Sequence, residues 1–149
     1  SLEQPTLIRP HSGELSRLLI ARGVNVSAEA SEGNPKKWVQ EAADILAVTV
    51  LLKGSTTYVA NDVVLIELPT ATPWLATAGT GDVLAGILGA LVATNTVEIL
   101  NDYNRLAYVA ATGAFIHARA ADEASHGGPI NAEALILTIP KIISQLLKH

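Results

Sequence analysis

One stretch near the middle of the chain, Leu75–Ala93, limits the possible folds more than any other. It begins as a loop of small residues, Ala78-Gly79-Thr80-Gly81, and its later part has the apolar spacing of a helix. The apolar residues of this predicted helix share one face and form a buried stripe: Val83, Leu84, Ile87, Leu88, Leu91 and Val92. The other positions are small, and we expect them to let a neighbouring backbone approach closely: Ala85, Gly86, Gly89, Ala90 and Ala93.

The start of this predicted helix is a candidate anion site. The first N–H groups of a helix have no partner inside it, and Gly79 and Gly81 leave no side chain to shield them. A phosphate group suits such a position. Asp82 follows at once, where a carboxylate serves either as a helix cap or as a base aimed at the bound group. The alternative for the whole motif is a tight turn followed by an aspartate cap.

The composition excludes several classes of function. At net charge −4 the chain has no basic surface for nucleic acid or anionic lipid. It has no cysteine, which excludes disulfides and thiolate zinc sites and fits a reducing compartment. The longest small or apolar run, Val83–Ala93, is shorter than the about 20 residues that cross a bilayer. With no signal peptide visible either, we expect a soluble, cytoplasmic protein.

The low charge content indicates that part of the surface is covered. Charged residues make up 16% of the 149 residues and hydrophobic residues 49%, against roughly 25% charged residues in typical soluble domains. The first predicted strand, Thr6–Ile8, has no earlier strand with which to pair. We therefore expect residues 1–149 to form a single, partial domain of a larger fold.

Two segments that follow predicted strands are candidates for ligand binding, because ligands of open α/β sheets gather at the carboxyl ends of strands. His11 follows the first strand; the alternative is a hydrogen-bonded bystander. The second segment follows Ala47–Leu52, an apolar, β-branched run typical of a strand buried on both faces in a parallel sheet. It offers a cation, a glycine and three hydroxyls, which suit a nucleotide phosphate or, alternatively, a solvated turn: Lys53, Gly54, Ser55, Thr56 and Thr57.

The remaining segments predict local structure. Asn34-Pro35 reads as the cap and first residue of a helix to about Asp44, whereas 25–33 is polar and reads as irregular. Asn61-Asp62 reads as the two-residue turn of a hairpin between 58–60 and 63–67. Asn101 or Asp102 is expected to cap a helix over 103–125. Asn131 begins the last segment, with a break at Pro140.

The histidines other than His11 do not predict a metal site. His117 and His126 have no carboxylate or second histidine at ligand spacing, so we interpret both as structural or solvent-facing. No metal ligand is predicted among the side chains.

Three stretches in this order resemble the C-terminal half of the NAD(P)H-hydrate dehydratase family, a branch of the ribokinase-like fold. They are Arg9-Pro-His-Ser-Gly-Glu14, Leu51-Leu-Lys-Gly-Ser-Thr-Thr57 and Leu75-Ala-Thr-Ala-Gly-Thr-Gly-Asp-Val-Leu-Ala-Gly86. The Gly-Thr-Gly-Asp element alone is shared by many ribokinase-like kinases, but the combination is more specific. The resemblance runs from about Leu7 to Leu147. It implies the C-terminal half of a three-layer α/β/α fold with a mostly parallel sheet.

The resemblance also implies a reaction, the ADP- or ATP-dependent dehydration of (S)-NAD(P)H-hydrate through a phosphorylated intermediate, with Mg²⁺ bridging phosphates. It implies that His11 and Asp82 contact the hydrated dinucleotide and that Asp82 is the catalytic base. The segment 53–57 and Gly81 would hold the adenine nucleotide. The N–H groups of Gly79, Thr80 and Gly81 would form the anion hole. The chain departs from the family pattern at Arg9, where threonine is commoner, and at Thr72-Pro73-Trp74, where asparagine usually precedes the proline.

The resemblance further implies that the N-terminal half of the fold is absent from this chain. We therefore expect the chain alone to be inactive or very weak, and to associate with that half or with further copies of itself as a homo-oligomer. Two other functions remain open. One is a ribokinase-like kinase of a small molecule such as a vitamin-precursor alcohol, and the other is a non-catalytic, nucleotide-binding half.

Overall fold

The computed structural model describes residues 4–148, which form helices on both faces of a four-stranded sheet. The strands are β1 (Leu7–Ile8), β2 (Thr49–Leu52), β3 (Tyr58–Ala60) and β4 (Leu65–Glu67). The helices are α1 (Ser12–Ala21), α2 (Ala28–Gly33), α3 (Pro35–Leu46), α4 (Thr80–Thr94), α5 (Thr96–Asn101), α6 (Arg105–Ser125) and α7 (Ala132–Leu146), with a short 3₁₀ helix at Pro73–Ala76. None of the helices in this range has the length and apolar character needed to span a membrane.

The sheet is mixed, which corrects the expectation of a mostly parallel one. Its order is β1-β2-β3-β4, with β1 parallel to β2 and both later pairings antiparallel. The physical reason is that β2, β3 and β4 follow one another through short connections, and only antiparallel strands can be joined in this way. Every residue of β2 is buried, which confirms the prediction of a strand covered on both faces.

Alternation along β2 builds a separate core on each face of the sheet. Val50 and Leu52 pack with the apolar sides of α1 and α3. Leu51 lies on the opposite face with Val59, against α4 and α6. Because successive side chains of a strand point to opposite faces, one apolar run supplies both cores. The three-layer arrangement is thus confirmed, and α7 adds a third cluster against α6.

Several predicted boundaries in the first half of the chain need correction. The segment 25–33, expected to be irregular, contains α2, whose N-terminus is capped by Ser27 accepting from the Ala30 N–H at 3.0 Å. The predicted helix after Asn34-Pro35 is confirmed as α3. The hairpin turn has four residues, 61–64, rather than two, because the Asn61 side chain accepts from the N–H groups of both Val63 and Val64.

Two expectations in the second half are also corrected. Residues 101 and 102 end or follow the separate helix α5, and α6 begins at Arg105 rather than at residue 103. The Asp102 carboxylate nevertheless accepts from the Asn104 N–H at 3.1 Å, so it caps the turn that leads into α6. Pro140 lies inside a continuous α7 instead of breaking it.

The small residues of α4 do not receive a neighbouring backbone, contrary to expectation. A Cβ placed on Gly86 or Gly89 meets nothing within 4 Å among the described residues. The close approach comes from the other helix, since a Cβ on Gly113 of α6 would lie 2.6 Å from a methyl group of Leu88. The glycine that allows α4 and α6 to pack is therefore the one on α6, and the small face of α4 points outward.

Candidate functional site

The predicted site segments converge where β1 and β2 end. The N–H of Lys53 donates to the carbonyl of Pro10 at 3.0 Å, and His11 and Lys53 form a parallel bridge that extends the pairing of the two strands. The Nζ of Lys53 lies 4.0 Å from the position that a Cβ on Gly81 would occupy. The structure thus brings His11, Lys53 and the glycine loop before α4 to one edge of the sheet.

His11 is the N-cap of α1, and its local hydrogen bonds are compatible with either of the two roles considered for it. Its Nδ1 accepts from the Glu14 N–H at 3.3 Å, and the Glu14 carboxylate accepts from the His11 N–H at 2.9 Å, which completes a capping box. The hydrogen bond from the His11 backbone lowers the pKa of Glu14 below its usual value. The His11 side chain is 55% exposed, and its Nε2 lies 3.6 Å from Oε1 of Glu14.

The predicted nucleotide segment forms an open turn between β2 and β3. Gly54 and Ser55 are exposed, whereas Thr56 and Thr57 are half-buried. The hydroxyls of Thr56 and Thr70 share a hydrogen bond of 3.1 Å, and the Thr57 carbonyl accepts from the Leu68 N–H. The turn is therefore tied to the segment after β4, with Lys53 at its site-facing end.

The glycine loop has a conformation that requires Gly79. This residue is the N-cap of α4 with φ +85° and makes no side-chain cap, and left-handed backbone of this kind favours glycine. A Cβ at this position would also lie 3.2 Å from the Cβ of Ala132 at the start of α7. Thr80 is buried, and its hydroxyl donates to the Leu75 and Thr77 carbonyls inside the loop. The threonine therefore shapes the loop with its side chain instead of facing the site with it.

Two consecutive peptide N–H groups at the start of α4 have no acceptor among the described residues, and we call them the free N–H groups. The resemblance assigned the Thr80 N–H to the anion hole, but this group donates to the Thr77 carbonyl inside the loop, which corrects that expectation. The Val83 N–H makes the first helical bond, to Gly79. Between them, the N–H groups of Gly81 and Asp82 donate to no acceptor within residues 4–148. The Asp82 side chain, in the first turn, is exposed beside them. These donors fit an anion, and the adjacent carboxylate fits a base.

Arg9 belongs to the site although sequence reasoning noted it only as a departure from the family pattern. Its Nη1–H donates to the Gly81 carbonyl at 3.1 Å, across 72 positions of sequence. Together with Lys53 it places two cations next to Gly81 in a chain of net charge −4. The sequence feature that could have indicated Arg9 as a site residue is its position directly after β1, at the carboxyl end of a strand.

His117 also reaches the glycine loop, from the middle of α6. The residue is 4% exposed, and its Nε2 lies 2.8 Å from the Thr80 carbonyl oxygen, so Nε2 must carry the hydrogen. Burial lowers the pKa of His117 most, and repulsion by Arg9 and Lys53 lowers it further, against the bond to Thr80, which raises it. His126, by contrast, is exposed at the end of α6.

The stability of the folded chain should therefore depend on the protonation of His117. Because its folded-state pKa lies below the ordinary value of 6.5, the folded state binds fewer protons than the unfolded state at mildly acidic pH. We expect the free energy of unfolding to be highest above pH 6.5 and to fall as pH falls below it. Urea titrations across this range measure it.

His117→Gln, which has no titrating ring, serves as the control. Its free energy of unfolding should stay nearly flat until the carboxylates Glu14 and Glu123, whose pKa values are lowered below 4.5, begin to protonate. An equal loss of stability between pH 6.5 and 4.5 in both proteins contradicts this account.

Several residues of the candidate site are exposed, among them His11 and Asp82. Two cavities of about 220 and 300 Å³ lie elsewhere, one beside α5 with Arg105 and Tyr108 in its wall, and one at the amino end of β2 beside Asn61. Neither cavity is lined by a residue of the candidate site. No group of three His, Asp or Glu side chains that could hold a metal ion occurs within the described range.

Comparisons with known proteins agree on one family. Two curated relatives are each 34% identical to the chain: the bifunctional NAD(P)H-hydrate repair enzyme Nnr of Mycobacterium leprae and the ADP-dependent (S)-NAD(P)H-hydrate dehydratase of Neisseria meningitidis serogroup B. The matches cover 97% and 87% of this chain but 26% and 40% of those proteins. The chain thus spans less than half the length of either relative.

Solved structures confirm the ribokinase-like fold class. The ADP/ATP-dependent NAD(P)H-hydrate dehydratase from Bacillus subtilis, co-crystallized with ATP/Mg²⁺, superposes with a TM-score of 0.76 at 22% identity, over 95% of this chain and 48% of that one. A ribokinase-like superfamily protein from Enterococcus faecalis V583 superposes with a TM-score of 0.67 at 20% identity, over 97% and 46%. The carbohydrate-kinase family model described as NAD(P)H-hydrate dehydratase matches residues 1–141. The chain therefore belongs to the NAD(P)H-hydrate dehydratase family.

Proposed function

We propose that this chain supplies the phosphate-binding part and the base of an ADP- or ATP-dependent (S)-NAD(P)H-hydrate dehydratase. The observation that carries the proposal is the pair of free N–H groups at Gly81 and Asp82, flanked by the cations of Arg9 and Lys53. Amide donors and cations of this kind stabilise a phosphoryl group during transfer. The relatives that carry the dehydratase name supply the substrate class.

In the proposed reaction, the Asp82 carboxylate takes the proton from the hydroxyl group of the hydrated nicotinamide ring. The hydroxyl oxygen attacks the terminal phosphorus of the nucleotide, and the bond from that phosphorus to the bridging oxygen breaks, releasing AMP from ADP or ADP from ATP. The Gly81 and Asp82 N–H groups hold the phosphoryl oxygens as charge develops on them. Lys53 holds the phosphate of the departing AMP or ADP. We assign the adenine nucleotide to the segment 53–57, which begins with this lysine.

The phosphorylated intermediate then loses phosphate. The ring nitrogen pushes its electron pair towards the carbon that bears the phosphate, the carbon–oxygen bond breaks, and loss of a proton from the neighbouring carbon restores the ring double bond. We assign contact with the dinucleotide to His11, whose side chain is 55% exposed and whose backbone pairs with that of Lys53 at the end of β1.

Mg²⁺ fits this site as a companion of the nucleotide. Magnesium ions are commonly held by phosphate oxygens and waters, so the nucleotide phosphates would supply ligands for the ion, while the Asp82 carboxylate in the first turn of α4 stays available as the base. When bound, Mg²⁺ neutralises charge on the nucleotide phosphates.

We further propose that dehydration needs polypeptide beyond these 149 residues, which form one partial domain. Two observations support this: the chain matches 40% of the Neisseria meningitidis dehydratase, and His11 and Asp82 of the candidate site are exposed. The complex that catalyses the reaction is called the active assembly. It consists of this chain joined to the remaining segment of the fold or to further copies of itself.

Replacing Lys53 tests the nucleotide site. Lys53→Met removes a cation beside Gly81, and we expect the Kd for ADP to rise at least about tenfold, since a hydrogen bond to a charged group contributes about 1.5–3 kcal/mol. Isothermal titration of the chain with ADP and Mg²⁺ measures it. Lys36→Met is the matched control, because Lys36 pairs with Glu67 on the surface, away from the site. Equal Kd values in all three proteins refute the nucleotide site.

A second assay distinguishes dehydration from kinase activity. The active assembly, given ADP and hydrated NADH, should restore the absorbance of the reduced nicotinamide. A stable phosphorylated alcohol formed from another substrate, without that absorbance, would indicate a small-molecule kinase instead.

A further inference from the structure

Two side chains hold the carbonyls of consecutive peptides at the start of α4. The His117 Nε2–H donates to the Thr80 carbonyl at 2.8 Å, and the Arg9 Nη1–H donates to the Gly81 carbonyl at 3.1 Å. The donors come from different elements, α6 and the end of β1, and approach the loop independently. Each of these carbonyls belongs to a peptide group whose N–H is one of the two free N–H groups.

The Thr80 carbonyl is in the same peptide group as the Gly81 N–H, and the Gly81 carbonyl is in the same group as the Asp82 N–H. These are the two N–H groups that donate to nothing within residues 4–148. A hydrogen bond to the oxygen of an amide polarises the group and strengthens the donor at its nitrogen, by about 10–30% per bond in condensed phases. It also fixes the plane of the peptide and hence the direction of the N–H.

We propose that His117 and Arg9 are positioning residues that orient and polarise the Gly81 and Asp82 N–H groups, respectively, towards the transferred phosphoryl group. This inference rests on the proposed function, because it assigns the two amides to a phosphoryl group. His117 touches no substrate and acts through the Thr80 peptide. Arg9 acts through the Gly81 peptide and adds positive charge at the same point.

The burial of His117 supports a fixed role for it. The imidazole is 4% exposed, and a buried side chain that donates to one backbone oxygen has little freedom to adopt another orientation. Arg9 is only half-buried, so its replacement is easier for the fold to tolerate. The two positions therefore give independent variants.

The test is a comparison of backbone amide chemical shifts, measured by nitrogen–proton NMR on the chain without ligand. We expect His117→Leu to change the Gly81 amide more than the Asp82 amide, and Arg9→Met to change Asp82 more than Gly81. His117→Gln keeps a donor at similar reach and should restore most of the Gly81 shift. Arg22→Met, an exposed cation at the end of α1, should change neither.

The same proteins are then titrated with ADP and Mg²⁺. His117→Leu should raise the Kd about threefold to tenfold, because the contribution of one hydrogen bond is of that size. The Kd of His117→Gln should stay close to that of the wild type. Three results would overturn the inference. The Gly81 and Asp82 chemical shifts could stay unchanged in both variants, or His117→Leu and Arg9→Met could fail to affect different amides. Alternatively, His117→Gln could fail to restore both the Gly81 shift and the Kd. If His117→Leu does not fold, the Arg9→Met spectrum and the His117→Gln readings decide it. If the wild-type chain does not bind ADP, the proposed function fails, while the shifts still report on the positioning.

Discussion

Replacing Asp82 by asparagine should reduce dehydration by the active assembly at least about a hundredfold, because general bases typically contribute 10²–10⁴ to the rate. Asparagine keeps the size of the side chain but cannot take a proton from the substrate hydroxyl. Binding of ADP should change little, since the proposed phosphate donors are backbone amides. The free energy of unfolding should fall by less than about 1 kcal/mol, the contribution of an acidic side chain in the first turn of a helix.

The control for Asp82→Asn is Asp62→Asn. Asp62 is exposed in the loop between β3 and β4, and it lies away from the end of β2 that forms the site. Its replacement should leave turnover and ADP affinity unchanged. Because α4 has no side-chain cap, full turnover by Asp82→Asn would instead indicate that the base lies elsewhere.

Replacing Gly79 by alanine should weaken ADP binding more than tenfold. Gly79 has φ +85°, and an alanine there costs about 1–2 kcal/mol of backbone strain. The added methyl group would also lie 3.2 Å from the Cβ of Ala132, so the loop or the start of α7 must shift. A shift of the loop turns the Gly81 and Asp82 N–H groups away from the position of the phosphate.

Gly23→Ala is the control that separates the effect of backbone strain from the effect of a position in the glycine loop. Gly23 has φ +83°, and a Cβ there meets nothing within 4 Å, so it carries the same backbone strain without a contact. It follows α1, on the exposed surface. Gly79→Ala should lose at least as much stability as Gly23→Ala in urea titrations, and only Gly79→Ala should lose ADP affinity. Equal ADP affinity in the two variants would contradict the assignment of the loop.

Periodicity and turn chemistry predicted much of the fold. The apolar run around β2 predicted a strand buried on both faces, and Asn34-Pro35 predicted the start of α3. The errors fall where short-range signals compete. The segment of α2 has no apolar spacing, so periodicity does not indicate a helix there, although Ser27 caps its first turn. Pro140 is compatible with a continuous α7 because packing against α6 decides the helix there.

The candidate site was predictable to the level of its segments but not of all its contacts. His11, Lys53 and the glycine loop were identified because each follows a strand or precedes a helix. The bonds from Arg9 and His117 join positions 72 and 37 residues apart in sequence. No local pattern indicates such pairs, because they depend on how α6 and β1 pack around α4. The outward face of Gly86 and Gly89 was missed for the same reason.

The central claim is that the Gly81 and Asp82 amides hold the phosphoryl group that is transferred, beside the Asp82 carboxylate. A crystal structure of the chain with ADP and Mg²⁺ tests it most directly. We predict a terminal phosphate oxygen within about 3 Å of the Gly81 nitrogen, the normal length of such a hydrogen bond. Electron density that places the terminal phosphate away from both amides, for example in the cavity beside Arg105 and Tyr108, would contradict it.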